Sequence, residues 1–459
     1  MPSFLELSMH FFLQMAVILV LCGLLWPAFR RLGQVRVVAI MAVGFLLGPS
    51  ALGAVWPAAQ EWLFPTMIRI GGEQVPHPSL TVIYVVGQLG LVLYMFLVGI
   101  SFDTGTFVSH VRAAGVTAAA GIVVPMLLGC LTGYVLVAQG GYFTDKVDPW
   151  QAGLFTAAAI AITSFPMLAW IVQDAGLYRS RLGTMALSCA AADDACAWIL
   201  LATVVAGADD SMGGAVLALV GAIGFVLFMF TLGKRLLGLL DGWAERETRG
   251  GRGDELPVGP LVAILLTVLL CAWFTDFVGI YSVFGAFIAG VVMPRGWLLD
   301  LVRARIEPLV AYLLLPAFFV FAGLNTELSL VFEPSVLLAA VAVLVVSFVG
   351  KFGAIAVAAR AHGMSWREAG SMGTLANARG LMELILLNIG LTQGLITPAL
   401  YTILAVMAFV TTFATTPILR LFQRSARKNG MTFGADGEMP IPAMESMPSG
   451  QRGTAAVGS

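Results

Sequence analysis

The chain of 459 residues is 59% hydrophobic and only 11% charged, with a net charge of −1 and a mean hydropathy of +0.93. Soluble domains carry about 25% charged residues, so the composition excludes a soluble enzyme or nucleic-acid binder and points to an integral membrane protein. Apolar stretches of roughly 20 residues recur, the length of a membrane-spanning helix, and the strand alternation of a membrane β-barrel is missing.

Thirteen spans are predicted, at 9–28, 36–53, 80–100, 112–138, 150–173, 181–206, 213–235, 257–275, 278–294, 307–325, 333–359, 366–391 and 397–419. No Lys or Arg precedes the first of them, and Arg30, Arg31 and Arg36 follow it. That is the reverse of a signal peptide's charge order, so the first span reads as retained. Every later odd-numbered exit is also basic: Arg112, then Arg179 and Arg181, then Lys234, Arg235, Arg246, Arg249 and Arg252. Arg295, Arg303 and Arg305 follow span nine, Arg360 and Arg367 span eleven, and Arg420, Arg424, Arg427 and Lys428 span thirteen. The even-numbered exits carry only Arg69 and Lys146. By the positive-inside rule the N-terminus is expected outside and the C-terminus inside.

Thirteen divides into six spans, a linker span and six more. An odd helix between two six-helix halves inserts them in opposite orientations, the arithmetic of an inverted repeat. The expected organisation is a first repeat over 1–206, a linker helix and loop over 207–256, a second repeat over 257–420 and a disordered tail over 421–459. No soluble domain is expected after the membrane part. The five cysteines (Cys22, Cys130, Cys189, Cys196 and Cys271) lie in apolar runs without metal-ligand spacing and read as small buried hydrophobes.

Few charges fall inside spans. Asp193 and Asp194 interrupt "ALSCAAADDACAWILLA" in span six, Lys351 lies in span eleven, and Arg379 and Glu383 lie in span twelve. Each costs about 2.5–3.5 kcal/mol at mid-helix, so the five must pair or line a wet cavity. Asp193 can pair with Lys351, and Arg379 with Glu383 one turn away. Adjacent residues on a helix point about 100° apart, so one lysine does not neutralise both aspartates. The surplus carboxylate can hold a proton or a small cation.

Helix breakers occupy two spans. Span five carries Thr163, Ser164 and Pro166 in "AITSFPML", where proline removes the hydrogen bond to the carbonyl of Ile162. Span twelve carries Gly373, Asn377 and Gly380 in "GTLANARGL". Both are the fifth span of their half, and interrupted helices at matching repeat positions mark a transporter's mid-membrane site. Freed carbonyls and the Thr163 hydroxyl suit a hard alkali cation, which prefers oxygen ligands.

At these residues the chain resembles the cation:proton antiporter family, in the second of its two large groups. "TSFPMLAWIVQDAGL", the double-aspartate stretch, "NARGLMELILLNIGL" and "FVTTFATTPIL" look most like the plant cation/proton exchanger branch and its bacterial relatives. "GLVLYMFLVGISFD" and "LLLPAFFVFAGLNTEL" extend the likeness, over about residues 10–420. The resemblance implies an all-α, inverted-repeat antiporter fold, a homodimer and a bacterial inner-membrane location. It implies that Asp194 binds the cation and carries the proton, that Asp193 is its neighbour, that Lys351 is the basic partner, and that Thr163 supplies a hydroxyl. Ser164 is expected to bind the cation or proton with Asp194, Asp193 and Thr163, and Pro166, Asn377, Arg379 and Glu383 are expected to support the site. Two departures stand out: "VAIMAVGFLLGPS" replaces an acidic motif of the second helix, and the family's nucleotide-sensing domains are missing, which argues against ligand-gated potassium efflux.

The expected function is exchange of Na⁺ or K⁺ for protons, without a cofactor. A sodium-coupled organic-anion symporter and a cation channel are the alternatives. If Lys351 releases a proton as the cation binds, two protons exchange for one cation and transport is electrogenic, the favoured expectation. If Lys351 is a permanent partner of Asp193, exchange is electroneutral.

Overall fold

A computed structural model describes residues 4–428 except 66, 71–72, 103, 178–179, 191, 195–211, 249–256 and 280. The second half of span six and the tail expected to be disordered therefore lie outside the described residues.

The helices, in chain order, are α1 (Phe4–Arg31), α2 (Arg36–Leu47), α3 (Pro78–Ser101), α4 (Thr104–Gln139), α5 (Pro149–Ala161) and α6 (Phe165–Asp174). Residues 181–190 and 192–194 form α7. Helix α8 (Met212–Phe228) continues through a π-turn (Met229–Gly233) into Lys234–Thr248. Next come α9 (Val258–Val278), α10 (Ser282–Val292) and α11, which runs from Trp297 to Leu324 through a π-turn at Val310–Leu314. The chain ends on α12 (Pro334–Ala361), α13 (Trp366–Leu375), α14 (Leu381–Thr392) and α15 (Pro398–Lys428).

Among the described residues ten helical stretches are long and apolar enough to cross a bilayer. The ten do not by themselves reach thirteen. Of the three remaining expected spans, 278–294 holds the shorter helix α10, 366–391 is split into α13 and α14, and 181–206 is described only as far as Asp194. Alongside the helices the described residues include one short hairpin. Met67–Ile70 pairs antiparallel with Glu73–Pro76, Met67 opposite Pro76. The Gly71–Gly72 pair between short alternating segments is a hairpin signal that an emphasis on long apolar runs passes over.

Proline at the first turn starts α3, α5 and α12, where its missing N–H costs nothing. The two broken helices also begin alike. The Gln151 side chain accepts from the Asp148 backbone N–H (2.8 Å), and the Glu368 side chain accepts from that of Ser365 (2.9 Å). Each is the returning arm of a capping box.

Packing joins the helices into two bundles, each drawing on both halves of the sequence. In one, α3 lies against α10 and α11, α2 against α11, and α9 against α10; in the other, α4 lies against α5 and α12, and α15 against α12, α13 and α14. The sequential halves are thus not the spatial units. Within the first bundle α2 and α11 touch backbone to backbone at Gly44 and Gly323, where a Cβ on Gly323 would sit 2.2 Å from the Gly44 carbonyl carbon. Without a hydrophobic force between helices in lipid, such small-residue crossings permit the close van der Waals packing that holds them together. Large apolar side chains such as Leu127, Leu131, Leu338 and Val349 face outward, as a protein solvated by acyl chains requires.

Candidate functional site

The unwound segments of the two broken helices meet. Residues 162–164 are non-helical between α5 and α6, and 376–380 separate α13 from α14. Pro166 falls in the first turn of α6, so it opens the second half-helix and does not kink a continuous one. In the other break Gly380 carries the strain, at φ 136° and ψ −90°, a conformation open to glycine alone. Gly373 does not break the helix. It lies inside α13, where a Cβ would come 2.6 Å from the carbonyl oxygen of Phe352, so its role is close approach to α12.

Unwinding bares backbone groups that the membrane interior cannot solvate, each costing several kcal/mol if left alone. The breaks satisfy one another. The Thr163 hydroxyl donates to Ala376 O (2.8 Å), and the Ser164 amide donates to Ala378 O (2.9 Å). Arg379 donates through Nη1 to Ala159 O (2.6 Å) and through Nη2 to Ile160 O (2.5 Å). Lys351 Nζ donates to Ala161 O. Two cations thus cap the negative end of α5, as the helix dipole favours. From α15 the Thr412 hydroxyl accepts from Arg379 N and donates to Arg379 O, both at 2.8 Å. Asn377 donates back to Gly373 O (3.0 Å).

The expected pairing of Lys351 with Asp193 is present: Nζ lies 2.6 Å from Oδ2, both side chains buried. Asp194 is buried too, without a basic partner at salt-bridge distance among the described residues. Its carboxylate is near the Phe165 amide at the start of α6, the positive end of that half-helix, while Oδ1 has no hydrogen-bond partner among the described residues. Ser164 Oγ and Asn377 Oδ1 are likewise buried without partners among the described residues. A cavity of about 10 Å³ lies at the Thr163 and Asp193 side of the crossing, lined also by Cys189 and Met372 among others, enough for about one water-sized occupant. Asp194 does not line it, because consecutive helical residues diverge by about 100°.

The expected Arg379–Glu383 pair is present only loosely, at 3.8 Å. The guanidinium spends both Nη groups on α5 carbonyls. Helical spacing pairs Arg379 with its nearest acid and gives no sign of this capping role or of the Thr412 clip. A pair of threonines in the apolar run "FVTTFATTPIL" is the only signal that could have drawn attention to Thr412.

Two interrupted helices crossing mid-membrane around buried charges define a secondary transporter of the inverted-repeat type. Residues 16–421 match the transmembrane sodium/hydrogen exchanger family, and the chain belongs to that family. It is 35% identical over 405 residues to the Na(+)/H(+) antiporter NhaS4 of Synechocystis, covering 88% of this chain and 94% of that protein. It is 35% identical to Cation/H(+) antiporter 19 of Arabidopsis thaliana, over 91% of this chain and 50% of the relative. With K(+)/H(+) antiporter 1 of Saccharomyces cerevisiae it shares 29% identity, over 92% of this chain and 47% of the relative. The chain thus spans about half the length of these plant and yeast relatives. The fold resembles that of the sodium proton antiporter MjNhaP1 from Methanocaldococcus jannaschii, with a TM-score of 0.59 at 14% identity over 93% of this chain and 97% of that one.

Proposed function

We propose that the chain exchanges Na⁺ or K⁺ for protons by alternating access, with Asp194 as the shared cation and proton site. The observation that carries this reading is a buried carboxylate oxygen of Asp194 without a partner among the described residues, beside the crossing of two broken helices. Asp193 shares the site, paired with Lys351. Thr163, Ser164 and Asn377 supply neutral oxygens of the kind alkali cations prefer. Pro166, Arg379 and Glu383 hold the breaks open. Relatives named for Na⁺/H⁺ and for K⁺/H⁺ antiport support the exchange and leave both cations as substrates to be compared.

A proteoliposome series with alkali chlorides is the test. A cation gradient should drive proton movement with no organic solute present, which a symporter would not do. Cation and proton should also compete, since a coupled carboxylate pair titrates as a unit. The half-saturating cation concentration should therefore rise as pH falls from about 9 to about 6. A flat profile would count against a shared site.

The alternation of basic loops supports an N-terminus outside and a C-terminus in the cytoplasm of a bacterial inner membrane. A cysteine placed at exposed Asp145, in the loop between α4 and α5, should react with impermeant reagents from the outer face of cells whose protein lacks the native thiols. Reaction only after permeabilisation would reject this orientation. We further read 1–206 and 257–420 as the inverted repeats, supported by the matched breaks and caps, 207–256 as the linker and 421–459 as a tail, with two copies assembling in the bilayer. Cross-linking that yields only single chains in native membranes would reject the homodimer.

A further inference from the structure

The exchange just described leaves Glu383 with a supporting part only, and its surroundings do not suit that part. The side chain is fully buried, one turn beyond the break on α14. Among the described residues neither carboxylate oxygen has a hydrogen-bond partner. Its nearest cation, Arg379 at 3.8 Å, is pinned by two α5 carbonyls and cannot turn to meet it. Among the described residues the other charge that acts on it is Lys351 on α12. Helix α5 carries no titratable side chain, and α2 carries only Arg36, at its start. Those of α15 are Tyr401, which donates to Ala322 O and Asn388 Oδ1, and the cations from Arg420 onward. An ionised carboxylate with no donor in a membrane interior is costly, and a neutral acid costs far less.

We propose that Glu383 is a second proton-carrying group, which releases its proton when a monovalent cation arrives at Asp194, so that two protons move against each cation. This rests on the reading of Asp194 given above. The Lys351 ammonium is poorly placed to supply that second proton, because it is held between Ala161 O and Asp193 Oδ2. With Asp194 and Glu383 both protonated, Asp193, Lys351 and Arg379 leave the site one positive charge. With the cation on an ionised Asp194, a protonated Glu383 would keep that positive charge in place. Breaking its O–H bond and passing the proton to water brings the sum to zero, and the carboxylate remains beside Arg379.

The experiment titrates NaCl or KCl, whichever drives wild-type exchange, into purified protein in weakly buffered detergent solution and counts protons with a pH dye. At the pH of maximal release the wild type should give up about two protons per cation and Glu383→Gln about one. In vesicles Glu383→Gln should also lose the response of exchange to an imposed membrane potential. Wild-type proton release and wild-type voltage response in Glu383→Gln would overturn the proposal. Should that variant fail to fold, infrared spectra of D193N/D194N protein provide a second reading. Glu383 is then the remaining mid-span acid, and its protonated-carboxyl band should vanish as pH rises. Folded D193N/D194N protein without such a band would equally overturn the proposal. Retained exchange in Asp194→Asn would instead sink the Asp194 reading, while the infrared band would still report on Glu383.

Discussion

Asp194→Asn is expected to abolish cation-dependent proton movement in proteoliposomes while the protein is made and extracted in wild-type amounts. The amide keeps the shape of the carboxylate and can still face the Phe165 amide, yet it holds neither a proton nor a full negative charge. Removing a mid-membrane charge lowers the insertion cost by about 2.5–3.5 kcal/mol, so folding should not suffer. Exchange at more than a few per cent of the wild-type rate would remove Asp194 from the mechanism.

Lys351→Gln should be the most damaging change for stability. The lysine ammonium holds Asp193 at 2.6 Å and caps Ala161 O, with no exposure to solvent. Removing one partner of a buried pair costs about 3–5 kcal/mol, because the remaining charge is left uncompensated. Thermal unfolding in detergent should fall markedly. Adding Asp193→Asn should recover part of the loss, since the two residues are coupled. If the double variant is no more stable than Lys351→Gln alone, the pair is not what stabilises this crossing.

The aspartate–lysine partnership is legible in the sequence because mid-span charges are few and each demands a partner. The breaks are legible too, through Pro166 and Gly380, at positions that match between the halves. Other features were out of reach for a definite reason. The role of Arg379 depends on carbonyls of Ala159 and Ile160 that become bare only when α5 ends early. No local pattern links an arginine to backbone oxygens so far away in sequence, whereas Glu383 at four residues' distance fits a familiar helical pairing. Gly373 and Gly380 look alike as letters, yet one serves close packing and the other a strained turn. The assembly of bundles from both halves is hidden for the same reason, since periodicity reports which face of a helix is apolar and not which helix covers it.

The caps on α5 also bear on how the protein is made. Ala159 O is satisfied by a guanidinium 220 residues further along the chain, and Ala161 O by an ammonium 190 residues on. A nascent chain that has inserted only its first spans holds this half-helix end without either cap, in a medium that supplies no replacement donor. Its Asp193 is then also unpaired. Membrane insertion and completion of the site are therefore separate events, and the early segment must keep its polar ends near the interface, near water, or against the insertion machinery until spans eleven and twelve arrive. A chain stopped short of Arg379 would leave a membrane-embedded half with exposed carbonyls, a defect that quality-control proteases can recognise in the absence of any unfolded soluble part.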